Sequence, residues 1–382
     1  MNRDRFPGLA DGWARLDGPG GTQMVDAAID AMTEWMRSGR TANEGGWFPH
    51  ARASEEIVAT ARESVAALLG GSPGGVAFGP SMTALTMRFS ATVGRSLAPG
   101  DEIVCTRLDH DANVRPWLIA AERAGAVVRF AEPSPDTLEL PAAAVEAVLS
   151  DRTRWVAVTA ASNAVGTVPD LPGIVAAAGH AGARVYVDAV HASPHRPIDV
   201  GALGVDGLAC SAYKWFGPHI GVLCAQPEVL RSLHPDKLRP SSDEAPEQWE
   251  LGTLPFEALA GVAAAADYTR SLSWDEVRAH EDALLDATLR GLGEIPGVTL
   301  YGRAADRTPT IMFNVAGRSA AEVAAGLADC SIAVWSGNYY AWELERHLDL
   351  VPDGAVRAGY VHYNDAGDAA RLVDAVRELA AQ

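Results

Sequence analysis

The sequence predicts an α/β protein with a large domain built on a mostly parallel, seven-stranded sheet covered by helices, plus a small α+β C-terminal domain. Short β-branched, apolar runs alternate with alanine-rich helical stretches from about residue 54 to residue 225. That alternation is typical of a doubly wound sheet with both faces buried. After a proline-rich loop at 235–256, long helices come first and strands follow. This change of order indicates a separate α+β region after the loop.

The elements of the first region are predicted in chain order. Residues 54–69 place their apolar side chains on one helical face, with Ser54 as the N-cap and acidic residues in the first turn. Further helices are predicted at 114–125 and 171–182. Seven β-branched or apolar runs are strand candidates: 75–78, 102–106, 126–131, 154–160, 183–189, 206–212 and 220–225.

The second region begins with helical patterns over 256–272 and 274–295. Strand-like runs follow at 298–302, 310–317 and 331–337, and a helix over 365–382 closes the chain. We therefore predict a large domain over residues 1–255 and a small domain over residues 256–382, with the N-terminal segment as a candidate to pack on the small domain.

Composition excludes several classes of function. Among 382 residues, 49 acidic side chains outnumber 31 basic ones, for a net charge of -18, and such a chain is a poor binder of nucleic acid. No apolar leader and no run of 18 apolar residues is present, so no membrane partner is expected.

The four cysteines, at 105, 210, 224 and 330, form no CxxC pair and no zinc-type spacing. This indicates a reducing cytoplasm and no metal site, and each cysteine is expected to be buried as a small apolar side chain.

Lysine is almost absent from the chain. Of the 31 basic residues only Lys214 and Lys237 are lysines. Arginine replaces lysine wherever a fixed charge suffices, but it cannot lose its proton to become a nucleophilic amine. Lys237 lies in a polar, proline-punctuated loop, whereas Lys214 follows a predicted core strand. Lys214 is therefore the better candidate for chemistry.

Polar side chains gather at the carboxyl ends of the predicted strands, where open parallel sheets bind ligands. They are His110, Asn163, Asp188, His191, Ser211, Tyr213 and Lys214, with Ser81 and Thr83 opening a helix that suits anion capture. A lysine amine, a carboxylate, an imidazole and an anion site together meet the needs of pyridoxal 5'-phosphate (PLP).

Three motifs at these positions, SNAVGT, YVDAVH and SAYKWFGPHIG, resemble the class V aminotransferase group of fold-type I PLP enzymes, and within it the cysteine desulfurase-like proteins. The resemblance extends from about residue 14 to about residue 364. It implies a PLP-dependent transferase fold in which Lys214 forms a Schiff base with the cofactor and Asp188 pairs with its pyridine nitrogen. His110 would stack on the cofactor ring, and Asn163 and His191 would contact the phenolic oxygen.

The same resemblance implies the remaining binding roles. The phosphate would be held by Ser81, Met82, Thr83, Ser211 and Tyr213. Thr253 would reach the phosphate of a partner subunit, which implies a homodimer with shared active sites. Arg357 would bind the α-carboxylate of an amino-acid substrate, a task suited to a bidentate guanidinium.

The sequence departs from the family on one loop. Cysteine desulfurases carry a nucleophilic cysteine there, but this chain has an aromatic loop at 335–342 with Tyr340 at the expected position. Asn338, Tyr339 and Tyr340 are predicted to contact the substrate, or alternatively to pack the two domains together. His50, in NEGGWFPHAR, is a further candidate contact.

These observations favour a carbon-sulfur lyase that performs β-elimination on cysteine or a cysteine-derived substrate. An aminotransferase or an amino-acid epimerase is the alternative, because all three reactions begin with loss of the α-proton. A non-enzymatic dimeric scaffold is disfavoured, because it would have no need of Lys214 or Asp188.

Overall fold

The computed structural model describes residues 3–381. The strands of this part of the chain are β1 (Ala14–Arg15), β2 (Val76–Gly79), β3 (Glu102–Thr106), β4 (Val127–Ala131), β5 (Thr153–Thr159), β6 (Arg184–Asp188), β7 (Gly207–Ser211), β8 (Gly221–Ala225), β9 (Val298–Tyr301), β10 (Thr310–Val315), β11 (Ile332–Ala333), β12 (Trp335–Gly337) and β13 (Ala355–Gly359).

The α-helices of the same residues are α1 (Asp26–Arg37), α2 (Pro49–Leu69), α3 (Met82–Gly94), α4 (Arg115–Ala124), α5 (Ala142–Glu146), α6 (Leu171–His180), α7 (Val200–Leu203), α8 (Pro227–Ser232), α9 (Phe256–Arg270), α10 (Trp274–Gly293), α11 (Ala320–Asp329), α12 (Trp342–His347) and α13 (Ala366–Ala381). By their length and apolarity, none of the helices within residues 3–381 qualifies as a membrane span.

The large sheet has seven strands in the order β2-β8-β7-β6-β5-β3-β4. Only β8 runs antiparallel to its neighbours, β2 and β7, and the other pairs are parallel. The predicted mostly parallel sheet is therefore confirmed, and each predicted strand end lies within one residue of the observed end. Strands buried on both faces read as continuous apolar runs, which is why they were easy to identify.

Strands β6 and β7 position the candidate catalytic residues Asp188 and Lys214. They are parallel neighbours, with Asp188 at the end of β6 beside Ala209 of β7. Strand β7 ends at Ser211 and turns directly into a short 3-10 helix, Ala212–Lys214. Asp188 and Lys214 therefore meet at the same edge of the sheet, as expected for the carboxyl ends of parallel strands.

Helix α2 begins earlier than the sequence predicts. Its first residue is Pro49, a position where the missing N–H of proline costs nothing. Ser54 is not the N-cap: it is buried within the helix, and its hydroxyl donates to the carbonyl of Ala42. A local capping rule cannot foresee a partner twelve residues away.

The small domain is a four-stranded antiparallel sheet, β12-β13-β10-β9. The N-terminal segment packs on it, since β1 pairs with β11 and the side chains of Ala14 and Leu16 join the apolar core formed by this sheet and helices α10, α11 and α13. Strand β13, which carries Arg357, is an element that the sequence patterns missed.

Helix α9 packs against α1 and α2 and buries Phe256, Leu259 and Val262 in the larger core. The domain limits of 1–255 and 256–382 remain a prediction, and this packing favours a boundary after Arg270.

The cysteines behave as expected in three cases of four. Cys105, Cys210 and Cys224 are buried in β3, β7 and β8, whereas Cys330 is exposed. The expectation of burial was wrong for Cys330, because this residue follows the C-terminal turn of α11 at the surface.

Glycine at position 221 allows β8 to contact the start of α3. A Cβ on Gly221 would lie 2.1 Å from the carbonyl carbon of Ser81 and 2.5 Å from the nitrogen of Met82. Both neighbours are backbone atoms, so they cannot move aside without shifting α3.

We therefore expect Gly221→Ala to lower the free energy of unfolding by about 1–3 kcal/mol, the usual cost of overpacking. Gly179→Ala is the matched control, because a Cβ there meets nothing within 4 Å and Gly179 lies inside α6. It should be neutral or stabilise by about 0.5–1 kcal/mol. Urea denaturation of both variants checks this, and equal effects would contradict it.

Candidate active site

The amine of Lys214 is buried, and few interactions offset the cost of removing its charge from water. Its Nζ donates a hydrogen bond to the carbonyl of Pro19 and lies 5.3 Å from the centre of the Tyr213 ring. Burial and, to a smaller extent, the positive charge of Arg357 lower the pKa of Lys214 to about 7, while the Asp188 carboxylate acts in the opposite direction. Much of the Lys214 population is therefore uncharged near neutral pH, which a nucleophilic amine requires.

Asp188 is a buried carboxylate whose charge acts on this amine. Its Oδ1 accepts a hydrogen bond from the N–H of Val190 at 2.9 Å. Burial raises the pKa of Asp188 to about 6, while that hydrogen bond and the charge of Lys214 act in the opposite direction. A cationic group placed against Asp188 would lower this pKa and hold the carboxylate ionised.

His110 follows β3 in the chain and caps the short 3-10 helix Asp111–Asn113, where its Nδ1 accepts a hydrogen bond from the N–H of Ala112 at 3.0 Å. Burial and, to a smaller extent, the charges of Lys214 and Arg357 lower the pKa of His110 to about 3. The neutral imidazole stacks on the ring of Tyr340, with 5.3 Å between ring centres and 26° between planes. A neutral, flat imidazole at this position suits stacking on an aromatic cofactor.

Arg357 links the two domains at the site. From β13 its Nη1 donates to the carbonyl of Asn163 at 2.9 Å, and its guanidinium lies 4.4 Å from the centre of the Tyr339 ring. Its Nε is buried and has no hydrogen-bond partner within the described residues. Burial lowers the pKa of Arg357 to about 10. The guanidinium remains charged at neutral pH and retains capacity to bind a carboxylate.

The aromatic loop is held against the large domain by its backbone. The N–H of Asp111 donates to the carbonyl of Tyr340 at 2.6 Å, and Nδ2 of Asn163 donates to the carbonyl of Tyr339 at 2.9 Å. Tyr339 and Tyr340 have φ angles of 50° and 60°, a left-handed conformation that is unfavourable for residues with a Cβ. The docking contacts hold the loop in this conformation.

The predicted phosphate site lies at the start of α3. The Ser81 hydroxyl caps this helix by accepting from the N–H of Ala84 at 3.1 Å, and the N–H of Met82 points at Oγ of Ser211 at 3.4 Å. Thr83 is exposed on the same turn. A capped helix N-terminus beside a serine hydroxyl is a suitable anion site.

His191 is a buried imidazole that contacts two threonines. Its Nε2 contacts the hydroxyls of Thr308 and Thr310 at 3.0 and 2.8 Å. Burial lowers the pKa of His191 well below its ordinary value, so the ring is neutral. These two threonines orient His191, and no sequence pattern singled them out.

One cavity of about 640 Å³ brings the largest group of predicted residues together. Its lining includes His110, Asn163, Tyr213, Lys214, Asn338, Tyr339, Tyr340 and Arg357. Pro19, Gly20 and Trp335 also line it. The segment DGPGG around Pro19 is a part of the cavity that the sequence patterns did not identify.

Six other predicted residues do not line this cavity, namely Ser81, Met82, Thr83, Asp188, His191 and Ser211. Two more, His50 and Thr253, also lie outside it. His50 is exposed in the first turn of α2, where it contacts the ring of Phe48 rather than the cavity. Thr253 is exposed after Gly252 and does not line the cavity of its own chain. Both remain predictions, Thr253 for a partner's site and His50 for substrate.

The residues fit PLP as a group. A buried amine, a buried carboxylate next to it and a helix N-terminus match the aldehyde, the ring nitrogen and the phosphate of that cofactor. Oδ1 of Asn163 is buried without a hydrogen-bond partner among residues 3–381, so an acceptor is available for a ligand. In the same residues no group of three His, Cys, Asp or Glu side chains is arranged to hold a metal ion. Fold and site together define a PLP-dependent enzyme.

Comparisons with known proteins agree. The family model for class V aminotransferases matches residues 14–372, and the chain belongs to that family. An uncharacterized protein of Mycobacterium tuberculosis is 33% identical over 99% of this chain and 98% of its own length. A cysteine desulfurase of Enterobacter sp. strain 638 is 32% identical over 96% of this chain and 93% of its own. The apo structure of a cysteine desulfurase from Thermococcus onnurineus superposes with a TM-score of 0.93 at 26% identity, covering 99% and 97% of the two chains.

Glu345, in α12 behind the aromatic loop, is fully buried and neither carboxylate oxygen has a partner within the described part of the chain. Burial raises the pKa of Glu345 from an ordinary value near 4.5 to about 7. The unfolded chain therefore ionises at lower pH than the folded one. This group's contribution to stability is full below about pH 4.5 and is lost as the pH rises through 7.

We expect the melting temperature of Glu345→Gln, relative to that of the unsubstituted protein, to be higher at pH 8 than at pH 5. The reason is that glutamine keeps the shape of the side chain and cannot ionise. Glu378→Gln, on the exposed face of α13, is the control and should behave alike at both pH values. Thermal unfolding at pH 5 and 8 measures the difference. A Glu345→Gln shift independent of pH would contradict the buried neutral acid.

Proposed function

We propose that this enzyme is a cysteine desulfurase-like carbon-sulfur lyase that performs β-elimination on cysteine or a cysteine-derived amino acid. Relatives named cysteine desulfurases support the substrate class. The observation that carries the proposal is the cavity lining: Tyr340 is present, while none of the four cysteines, all of which lie in the described range, contributes to it. Without a thiol in reach, sulfur leaves with its electron pair instead of being transferred to the protein.

PLP, when bound, supplies an electron sink for negative charge at the substrate Cα. Asp188 would hold a proton on the ring nitrogen, and His110 would stack on the ring. Arg357 would bind and orient the substrate carboxylate. Lys214, with a pKa near neutrality, would accept the α-proton as general base.

The overall reaction balances without an oxidant or reductant. The Cα–H proton passes to the Lys214 amine, and the Cβ–S bond breaks with its electrons on sulfur, which leaves as a thiol or sulfide after protonation. The remaining three-carbon enamine is hydrolysed by one water to pyruvate and ammonia. Transamination and epimerisation share the first proton transfer but retain the sulfur, and the names of the relatives do not favour an aminotransferase.

The same proposal includes a cytoplasmic homodimer. The four free cysteines fit a reducing compartment. The exposed Gly252-Thr253 turn fits a contact with a partner subunit.

Product analysis tests the reaction. The PLP-loaded enzyme is incubated with L-cysteine and with S-methyl-L-cysteine, and pyruvate, ammonia and alanine are quantified. Equal amounts of pyruvate and ammonia are expected. Alanine without pyruvate would contradict β-elimination, and a keto acid that retains sulfur would favour transamination.

Lys214→Ala should lower kcat by at least about 100-fold, the lower range of general acid-base contributions, while PLP still binds through the phosphate and ring contacts. Lys237→Ala is the matched control. Lys237 lies in the 235–256 loop, bonded to the Ser241 carbonyl and paired with Asp243. Its removal should leave kcat unchanged. Equal turnover of both variants would exclude Lys214 as the base.

A further inference from the structure

Within residues 3–381, the outer wall of the active-site cavity is aromatic and its lining has no acidic side chain. Trp335, Tyr339 and Tyr340 supply three rings, and Pro19 and Gly20 line the cavity beside Trp335. We call this part the outer chamber. The two cations of the lining, Lys214 and Arg357, already have roles toward the cofactor and the α-carboxylate. A substituent on the substrate sulfur would therefore meet rings and uncharged polar groups.

The chamber has a fixed shape. A Cβ on Gly20 would lie 2.5 Å from Nε1 of Trp335, so glycine is required for the indole to lie against this loop. Tyr340 is stacked on His110, and Tyr339 covers Arg357. Rings held in place lose little conformational entropy when a ligand binds.

Two of the three rings are only partly covered. Trp335 is 54% exposed and Tyr340 is 69% exposed. Large aromatic surfaces left open at the mouth of a cavity are typical of a site that a ligand covers. Cysteine has one heavy atom beyond Cβ, which is too little to cover either of these exposed rings.

From these features we propose that the preferred substrates are cysteine thioethers with an uncharged, apolar or aromatic group on sulfur, and that Trp335 determines this specificity. The inference rests on the proposed lyase function. The Cβ–S bond of the thioether breaks and the substituent departs as a thiol, in the same balanced reaction with one water.

Kinetics and binding test the proposal on the PLP-loaded enzyme. We expect kcat/KM for pyruvate release from S-phenyl-L-cysteine to exceed that from L-cysteine and from the charged S-carboxymethyl-L-cysteine by at least about 10-fold. Calorimetry with L-homophenylalanine and L-2-aminobutyrate, in which carbon replaces sulfur and nothing can be eliminated, should show the same preference in Kd.

Trp335→Ala should weaken L-homophenylalanine binding and S-phenyl-L-cysteine turnover by roughly 5- to 10-fold, the effect of losing one aromatic pair, and Trp335→Phe should restore most of it. Values for L-cysteine and L-2-aminobutyrate should change less than those for the two phenyl compounds. Trp342→Ala is the matched control, because Trp342 is a neighbouring, partly exposed tryptophan outside the cavity lining.

The failures are distinguishable. The thioether specificity would be overturned if L-cysteine and S-phenyl-L-cysteine gave pyruvate equally well and Trp335→Ala changed neither the Kd of L-homophenylalanine nor that of L-2-aminobutyrate. The proposed lyase reaction would still stand after that result. Efficient turnover of S-carboxymethyl-L-cysteine would overturn the requirement for an uncharged group. Tight, Trp335-dependent binding of L-homophenylalanine without pyruvate from any substrate would support the chamber and overturn the lyase reaction.

Discussion

The burial of the Lys214 amine beside the Asp188 carboxylate is the constraint from which the site follows. Removing both groups from water disfavours their charged forms, so the lysine pKa falls to about 7 and the aspartate pKa rises to about 6. Stability does not explain why the two groups are buried there, because two apolar side chains of similar size would stabilise the fold as much or more. Adjacent parallel strands bring the two to one edge of the sheet. A ligand that bonds to the amine and presents a cation to the carboxylate relieves both penalties.

The small domain completes the site by two different means. Strand β13 delivers Arg357 into the cavity, where it binds the Asn163 carbonyl of the large domain. The aromatic loop is docked by the N–H of Asp111 and by the Arg107–Glu343 ion pair. Arg357 and the chamber rings thus come from the part of the chain that forms the small sheet, whereas the proposed cofactor-binding groups Lys214 and Asp188 come from the part that forms the large sheet.

The fold and the inner site could be predicted because they depend on local patterns and on rare residues. Seven apolar runs gave the sheet, and the scarcity of lysine singled out Lys214. The patterns failed where the partner is distant in sequence. Tertiary packing decides which groups lie beside Ser54, Lys214 and His191. Their partners are the Ala42 carbonyl, the Pro19 carbonyl and two threonine hydroxyls. Arg357 was assigned only through family resemblance, because its strand had not been recognised.

The most direct test of the central claim is to map where PLP attaches. The enzyme is loaded with PLP and reduced with borohydride, which makes the bond between aldehyde and lysine permanent, and the digested peptides are analysed by mass spectrometry. The chain has only two lysines, Lys214 and Lys237, so the outcome is unambiguous. Stoichiometric label on the peptide that contains Lys214 is the predicted result. Label on Lys237, or no retained label, would contradict the account.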